Sequence, residues 1–321
     1  GTPSVLPLPC IGRIISTAGD IAGHNFTELT VEVNPEDIVE KGPDYVRSLR
    51  ALGVNRISMG VQSLDDGILH WMNRRHDAAG AREAFRILRQ AGMDNVSVDI
   101  IFGISHLTED TLLNTLREII SWSPEHISAY QLSIEDGSAL AGMIDSGRYA
   151  EASDEQCRRQ YRLVCRELRE AGYEHYEISN WARPGFRAVH NSAYWSRQPY
   201  VGVGPGAHSL LHCYGAVKER QIGSEGLAAL GSRGRGPSLA WEGLVPRGQL
   251  PDRTAPIQIR MWNSQSLTGW KQESEVLSDE EIREEEIMLG LRTLEGWNGR
   301  RLSEDEWFVS DGLISDILAQ S

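Results

Sequence analysis

NRISMGVQS, residues 55–63, is the stretch that decides the fold. Its short run of β-branched and apolar residues predicts a strand over residues 56–60, between two helical stretches that end before Gly53 and Gly92. Outward from this strand, the same alternation predicts strands over residues 28–33, 97–102, 126–132 and 175–178. Five such units in one direction predict an α/β fold with a parallel-strand barrel, or part of one, because repeated right-handed crossovers curl a sheet.

The composition is that of an ordinary globular chain. Hydrophobic residues make up 40% and charged residues 24% of the 321 residues, which excludes wholesale disorder and a fibrous repeat. The 45 acidic and 32 basic residues give a net charge of −13, which argues against a nucleic-acid partner. The longest apolar runs fall short of the roughly 20 residues that a membrane helix needs. We therefore expect a cytoplasmic protein, or a mitochondrial one in a eukaryotic host.

Polar residues follow the predicted strands at the positions where such barrels carry function. They are Glu32, Asn34, Gln62, Asp99, Gln131, Ser133, Glu177 and Asn180. Because the carboxyl ends of parallel strands meet at one edge of the sheet, we expect these side chains to line a site. For any single one of them, a satisfied polar group at a strand end is the competing interpretation.

Five short segments of the sequence resemble the radical SAM enzymes grouped with oxygen-independent coproporphyrinogen III oxidase. They read GTPS at 1–4, EVNP at 32–35, NRISMGVQS at 55–63, DIIFG at 99–103 and YQLS at 130–133. Three later segments, YEISN at 176–180, HNSAYW at 190–195 and GVGPGAHS at 202–209, are similar to the HemW branch, the heme chaperones. The resemblance covers most of residues 1–215 and returns at 286–296. It implies a partial (β/α)6 radical SAM barrel of TIM-like type with an incomplete C-terminal winged-helix-like unit.

By this resemblance, S-adenosylmethionine (SAM) is a cofactor, and a [4Fe-4S] cluster supplies the electron that splits it. The family positions imply that SAM is bound by Gly1, Thr2, Glu32, Gln62, Arg74, Asp99, Ser133 and His208. Arg74 would pair with the carboxylate of SAM. From the residues alone, Arg74 could instead belong to an exposed basic turn and Asp99 could cap a helix at a strand end. No catalytic side chain and no metal ligand is assigned in this chain.

The HNSAYW segment implies a heme site made of His190, Asn191, Tyr194 and Trp195. An imidazole can ligate heme iron, and a phenol and an indole offer flat apolar contact to the macrocycle. Judged without the resemblance, a histidine beside aromatic residues is more often a hydrogen-bonded core residue.

The chain departs from the family in its cysteines. Family members hold the cluster on a C-x-x-x-C-x-x-C loop, whereas Cys10, Cys157, Cys165 and Cys213 stand apart in this sequence. We therefore expect an N-terminally incomplete chain, with a retired enzyme as the second account. The expected domains are a radical SAM barrel without its first strand and cluster loop over 1–215, a disordered Gly/Arg-rich insertion over 216–257, and a truncated helical unit over 258–321.

Three functions follow from these features. The first is a heme chaperone that binds heme and transfers it to an apo-hemoprotein, inactive in SAM cleavage in this form. The second is oxygen-independent coproporphyrinogen III oxidase, a dehydrogenase of porphyrin biosynthesis. The third is a non-catalytic fragment that binds heme or SAM. The expected partners are heme and the recipient hemoprotein. Any contact with a membrane would be peripheral and made through that recipient.

Overall fold

The computed structural model describes residues 2–23, 26–213, 257–265 and 271–319. Gly1, one of the residues expected to bind SAM, lies outside these ranges. A single 3₁₀ turn, Pro3–Val5, and helix α1, Leu8–Ala22, precede the main sheet. The six strands of that sheet are β1 Thr30–Val33, β2 Arg56–Gln62, β3 Val96–Phe102, β4 His126–Gln131, β5 Glu174–Glu177 and β6 Asn180–Ala182.

The first four strands are parallel neighbours in chain order, as the sequence predicts. Helices α2 Pro35–Ala51, α3 Asp66–Trp71, α4 Ala78–Gln90 and α5 Glu109–Trp122 make the crossovers. Helix α5 begins after Thr108, whose side chain accepts a hydrogen bond from the backbone N–H of Thr111. This half of the molecule is the strand-helix repeat of a partial barrel.

The fifth predicted strand is present, but it does not pair with β4. Helices α6 Ala139–Asp145 and α7 Asp154–Glu170 lead into β5, and the turn at Ile178 and Ser179 reverses the chain into β6. Strand β6 lies between β4 and β5 and is antiparallel to both. The five predicted strands therefore run in one direction, as expected, and the unpredicted strand β6 lies antiparallel between the last two, because a two-residue link permits only an antiparallel return.

The two faces of the sheet differ in polarity. Along β1, Val31 and Val33 are buried, while Thr30 and Glu32 point to the opposite face. The buried set continues along the other parallel strands and packs under the crossover helices; it includes Ile57, Met59, Val98, Ile100, Ile127 and Ala129. The inner face carries polar side chains instead, which leaves it free to form a site.

A second sheet of three antiparallel strands follows, made of β7 His208–Cys213, β8 Ile257–Asn263 and β9 Gln272–Val276. Strand β7 lies in the range predicted for the barrel, but it pairs with β8 across the gap in the described residues. Apart from Ile257, the predicted insertion over 216–257 falls outside the described residues.

The C-terminal region is helical. Helices α9 Asp279–Leu291, α10 Glu304–Phe308 and α11 Ser310–Leu318 enclose a small core of Ile287, Leu291, Leu302, Trp307 and Ile314. The remaining helix, α8 Val189–Trp195, connects the two sheets. None of the helices that the structure describes has the length and apolar character needed to cross a bilayer.

Candidate functional site

A polar cavity of about 380 Å³ lies against the inner face of the parallel strands. Each strand contributes alternate side chains to its wall; they are Thr30, Glu32, Arg56, Ser58, Asp99, Ser128 and Tyr130. Pro3 and Glu28 close one side, and His190 and Asn191 reach it from α8. The cavity therefore joins two of the expected SAM residues, Glu32 and Asp99, to two of the expected heme residues.

Asp99 is held by hydroxyl groups from its neighbours in the sheet. The hydroxyl of Ser58 donates to its two carboxylate oxygens at 3.2 and 3.1 Å, and the hydroxyl of Ser97 lies 3.3 Å from Oδ1. Burial raises the pKa of Asp99, while hydrogen bonds from Ser128 and Ser58 and the charge of Arg56 oppose that rise. Asp99 is thus a half-buried carboxyl group that hydroxyl groups of neighbouring strands hold in the cavity wall.

His126 forms the floor of this polar layer. Its Nδ1 lies 2.8 Å from the Ser97 hydroxyl and its Nε2 lies 2.8 Å from the hydroxyl of Tyr176. Burial lowers the pKa of His126 well below its usual range, and the nearby Arg56 lowers it further. The imidazole is therefore neutral, and both of its nitrogens are occupied.

Helix α8 carries an aromatic surface at the edge of the cavity. The rings of His190 and Tyr194 meet edge to face with centroids 4.6 Å apart, and those of Tyr194 and Tyr200 do so at 4.4 Å. Tyr194 keeps 39% of its surface exposed, and Trp195 and Asn191 are half-buried. The Glu28 carboxylate accepts hydrogen bonds from the backbone N–H groups of Val189 and His190, which fixes the start of α8 beside the cavity.

Four other residues expected to bind SAM lie outside the cavity wall. Thr2 is half-buried beside the 3₁₀ turn, and Ser133 and His208 are exposed. Gln62 ends β2 with a positive φ of 66°, a conformation that few residues other than glycine adopt. Its amide nitrogen lies 2.7 Å from the position that a Cβ on Gly60 would take, so Gly60 leaves room for the Gln62 side chain.

Arg74 lines a separate surface cavity of about 750 Å³, together with Glu36, Asp66 and His70. Its neighbour Arg75 is paired with Glu36 and Asp37. Arg74 itself has no ion pair within the described part of the chain, so its half-buried guanidinium is available to an anionic ligand.

The three cysteines whose side chains the structure describes do not fit a [4Fe-4S] cluster, which needs three thiolates converging on one point. Cys10 is exposed on α1, whereas Cys157 and Cys165 are buried on α7. The last two are eight residues apart in one helix and therefore about 12 Å apart along its axis. We therefore assign none of these three thiols to a cluster.

One mixed group of side chains could hold a metal ion, namely Cys165, His175 and Glu304, whose ligand atoms lie within 4.8 Å of one another. Glu304 accepts from His175 Nδ1 at 3.0 Å and is also paired with Arg169. Burial raises the pKa of the Cys165 thiol to about 12 and lowers that of His175 to about 3. Both groups are neutral, and the hydrogen bond of His175 to Glu304 attaches α10 to the sheet.

Eight residues of the site were not predicted from the sequence. Five of them line the cavity wall and are Pro3, Thr30, Ser58, Ser128 and Tyr130. Arg56 and Glu28 also line the cavity, and Tyr200 extends the aromatic surface. Arg56 could have been found, because in NRISMGVQS it shares the inward alternation of Ser58. Tyr200 approaches α8 only through its antiparallel bridge to Leu210, which no local pattern predicts.

Comparisons with known proteins agree with this architecture. Residues 1–119 match the Radical SAM superfamily. The chain is 28% identical over 325 aligned residues to "Heme chaperone HemW" of Bacillus subtilis, covering 99% of this chain and 74% of that protein. Its fold is similar to that of coproporphyrinogen III oxidase (HemN) from Escherichia coli, with a TM-score of 0.62, 17% identity, and coverage of 91% of this chain and 62% of that one.

Two further relatives match about two thirds of this chain. The chain is 33% identical to "Heme chaperone HemW" of Mycobacterium tuberculosis H37Rv, over 66% of this chain and 54% of that protein. It is 34% identical to "Radical S-adenosyl methionine domain-containing protein 1, mitochondrial" of Danio rerio, over 67% of this chain and 48% of that protein. The matched region thus spans about half the length of these two relatives.

Proposed function

Because the chain is a HemW-like radical SAM protein, we propose that it binds heme on α8 and passes it to an apo-hemoprotein. His190 is the proposed axial ligand, and Tyr194 and Trp195 contact the macrocycle while Asn191 faces the cavity. The transfer takes place in the cytoplasm, or in the mitochondrion of a eukaryotic host, the compartment named for the Danio relative.

The observation that carries this proposal is the state of the His190 side chain. His190 is exposed, and its ring nitrogens make no hydrogen bond within the described residues. By contrast, both ring nitrogens of His76, His126 and His175 are engaged. His106 is also exposed, lies beside Trp71 and has no ring hydrogen bond in the described chain, so the position of His190 in the cavity wall is what distinguishes it as a ligand for heme iron.

SAM belongs to the proposal as a second ligand, because radical SAM proteins use SAM with a [4Fe-4S] cluster. Glu32 and Asp99 in the cavity would accept hydrogen bonds from the polar groups of SAM, and Gln62 at the end of β2 would add another contact. Arg74, unpaired in the described structure, would bind its carboxylate. For the polypeptide as printed we propose no reductive cleavage of SAM, since its four cysteines lack the spacing of the family's cluster loop.

A hemin titration followed by absorbance tests the proposal. We expect the wild-type chain to bind hemin saturably, with a shift of the Soret band. His190→Ala should lower the affinity for hemin by about tenfold or more, because removing a ligand of the iron lowers affinity at least as much as removing a residue that only supports a ligand. His70→Ala, which removes another exposed histidine on α3, serves as the matched control and should bind like the wild type. Equal binding by all three proteins, or no binding by a folded wild type, would overturn heme chaperoning.

A further inference from the structure

Two polar side chains at the start of neighbouring strands line the cavity and have a buried atom with no hydrogen-bond partner among the described residues. Thr30 and Arg56 occupy the same register in β1 and β2, and both line the cavity. Oγ1 of Thr30 and Nε of Arg56 are buried and make no hydrogen bond in the part of the chain that the structure describes. Within the described residues Arg56 forms no ion pair, although only 6% of its surface is exposed. A buried group of this kind indicates a missing ligand.

The charge of Arg56 makes the missing ligand an anion. A guanidinium stays protonated at any pH that a protein tolerates, so it cannot escape the cost of burial by losing its proton. A buried charge is tolerated when it is paired and hydrogen-bonded. An incoming anion would supply both the countercharge and the acceptor for Nε, and the Thr30 hydroxyl lies one strand away to donate to the same group.

Asp99 interacts with the charge of Arg56 at a distance, but no carboxylate in the described part of the cavity forms an ion pair or a hydrogen bond with the guanidinium. Asp99 is held by the Ser58 and Ser97 hydroxyls, and Glu28 accepts from the backbone at the start of α8. No hydrogen bond or ion pair in the described part of the structure joins Glu32 to Arg56. These three acidic groups also limit the charge of the ligand. A monovalent, planar carboxylate fits the guanidinium fork, whereas a phosphate dianion would be repelled.

The position of α8 identifies the molecule that bears this carboxylate. His190 and Asn191 line the same cavity as Arg56, and Glu28 ties their helix to its wall. A porphyrin whose iron is bound by His190 therefore has its edge at the cavity mouth, and its edge carries propionate groups. We infer that Arg56 and Thr30 bind a propionate of the heme, an inference that rests on the heme binding proposed above. The α-carboxylate of SAM is the other source of the same chemistry.

Esterification of the propionates tests this assignment. Hemin and hemin dimethyl ester are each titrated into the full wild-type chain and into the variants Arg56→Gln and Thr30→Val. Arg283→Gln, which replaces an exposed arginine of α9, is the matched control. We expect the wild type and Arg283→Gln to prefer hemin over its ester by about tenfold or more, the usual value of a hydrogen bond to a charged group. Arg56→Gln should lose that preference and Thr30→Val should reduce it, while both bind the ester as the wild type does.

These titrations distinguish failure of the propionate contact from failure of heme binding. Hemin binding that depends on His190 but does not distinguish acid from ester overturns the propionate contact and leaves heme binding intact. The affinity for SAM is measured by calorimetry. If Arg56→Gln lowers that affinity and leaves the preference for hemin over its ester unchanged, Arg56 binds the carboxylate of SAM and the inference is also overturned. Urea unfolding of Arg56→Gln checks its fold, and Thr30→Val changes a hydroxyl for a methyl group of the same shape, so the contact stays testable if Arg56→Gln does not fold.

Discussion

Glu28 is the side chain on which the position of the proposed heme ligand depends. Its carboxylate accepts from the N–H of Val189 at 3.0 Å and of His190 at 3.2 Å, and both donors belong to the first turn of α8. Helix α8 has only seven residues, and isolated helices of that length are not stable in water. We therefore expect Glu28→Ala to loosen α8 and to weaken hemin binding without touching the heme contacts themselves.

The size of the effect follows from these two hydrogen bonds. Loss of an N-terminal capping side chain costs about 0.5–2 kcal/mol, and loss of a carboxylate near a helix N-terminus adds about 0.3–1 kcal/mol. A change of about 1–3 kcal/mol in the docking of α8 corresponds to about a fivefold to hundredfold loss of hemin affinity. Glu28→Gln keeps one acceptor oxygen and loses the charge, so its affinity should lie between those of Glu28→Ala and the wild type.

Hemin titration at fixed pH and ionic strength measures this series, with Glu280→Ala on the exposed surface of α9 as the control. Unchanged affinity in Glu28→Ala would show that α8 holds its place without the capping carboxylate. Tighter binding in Glu28→Ala would refute the reasoning more directly. It would mean that Glu28 acts through repulsion of an anionic ligand in the cavity and not through the position of α8.

Three further predictions concern stability and chemistry. Burial raises the pKa of Glu177 to about 8 from an ordinary 4.5, so its contribution to stability is full below pH 4.5 and is lost as the pH rises to 8. Glu177→Gln should therefore become more stable than the wild type between pH 5 and 8, by at most about 5 kcal/mol in urea unfolding. Free energies of unfolding that change with pH in the same way in both proteins would contradict this. Trp307 is buried and donates from Nε1 to the Leu291 carbonyl at 2.8 Å, so Trp307→Ala should cost about 3–5 kcal/mol, well above the cost of Trp262→Ala at a half-buried site. Anaerobic reconstitution of the chain with iron and sulfide should yield no 5′-deoxyadenosine from SAM, and its detection by chromatography would show that other ligands hold a cluster.

The parts of the fold that the sequence predicted are those encoded by local patterns. The parallel strands β1 to β4 follow from β-branched runs, and α2 and α4 end just before Gly53 and Gly92 as expected. Strand β6 was missed because its three residues, Asn180–Ala182, show no period of their own and are ordered by pairing with β4 and β5. The second sheet was missed for a similar reason, since β7 and β8 are far apart in the chain and neither is stable alone.

Site residues were predictable where the residue type itself indicates a chemical role. They were harder to predict where the role depends on burial and on neighbours in the folded structure. His190 and Tyr194 were expected together, and their rings are in contact. Arg56 was overlooked, because an arginine in a strand is usually exposed or paired and only the packed structure reveals its burial without a partner. The expected SAM residues remain predictions, with Glu32 and Asp99 in the cavity and Arg74 in another.

The division between a polar interior and an aromatic rim constrains how heme can bind. A porphyrin ring inside the cavity would press an apolar face against Asp99 and Glu32 and strip them of water, at a cost that apolar contact there cannot offset. His126 could not serve as a ligand in that position, because Ser97 and Tyr176 occupy both of its nitrogens. On the α8 side, Tyr194 is partly exposed and Val189 is 52% exposed, so the ring gains contact there without displacing a hydrogen bond. The same surface stays open to solvent, as the proposed transfer of heme to a recipient protein requires.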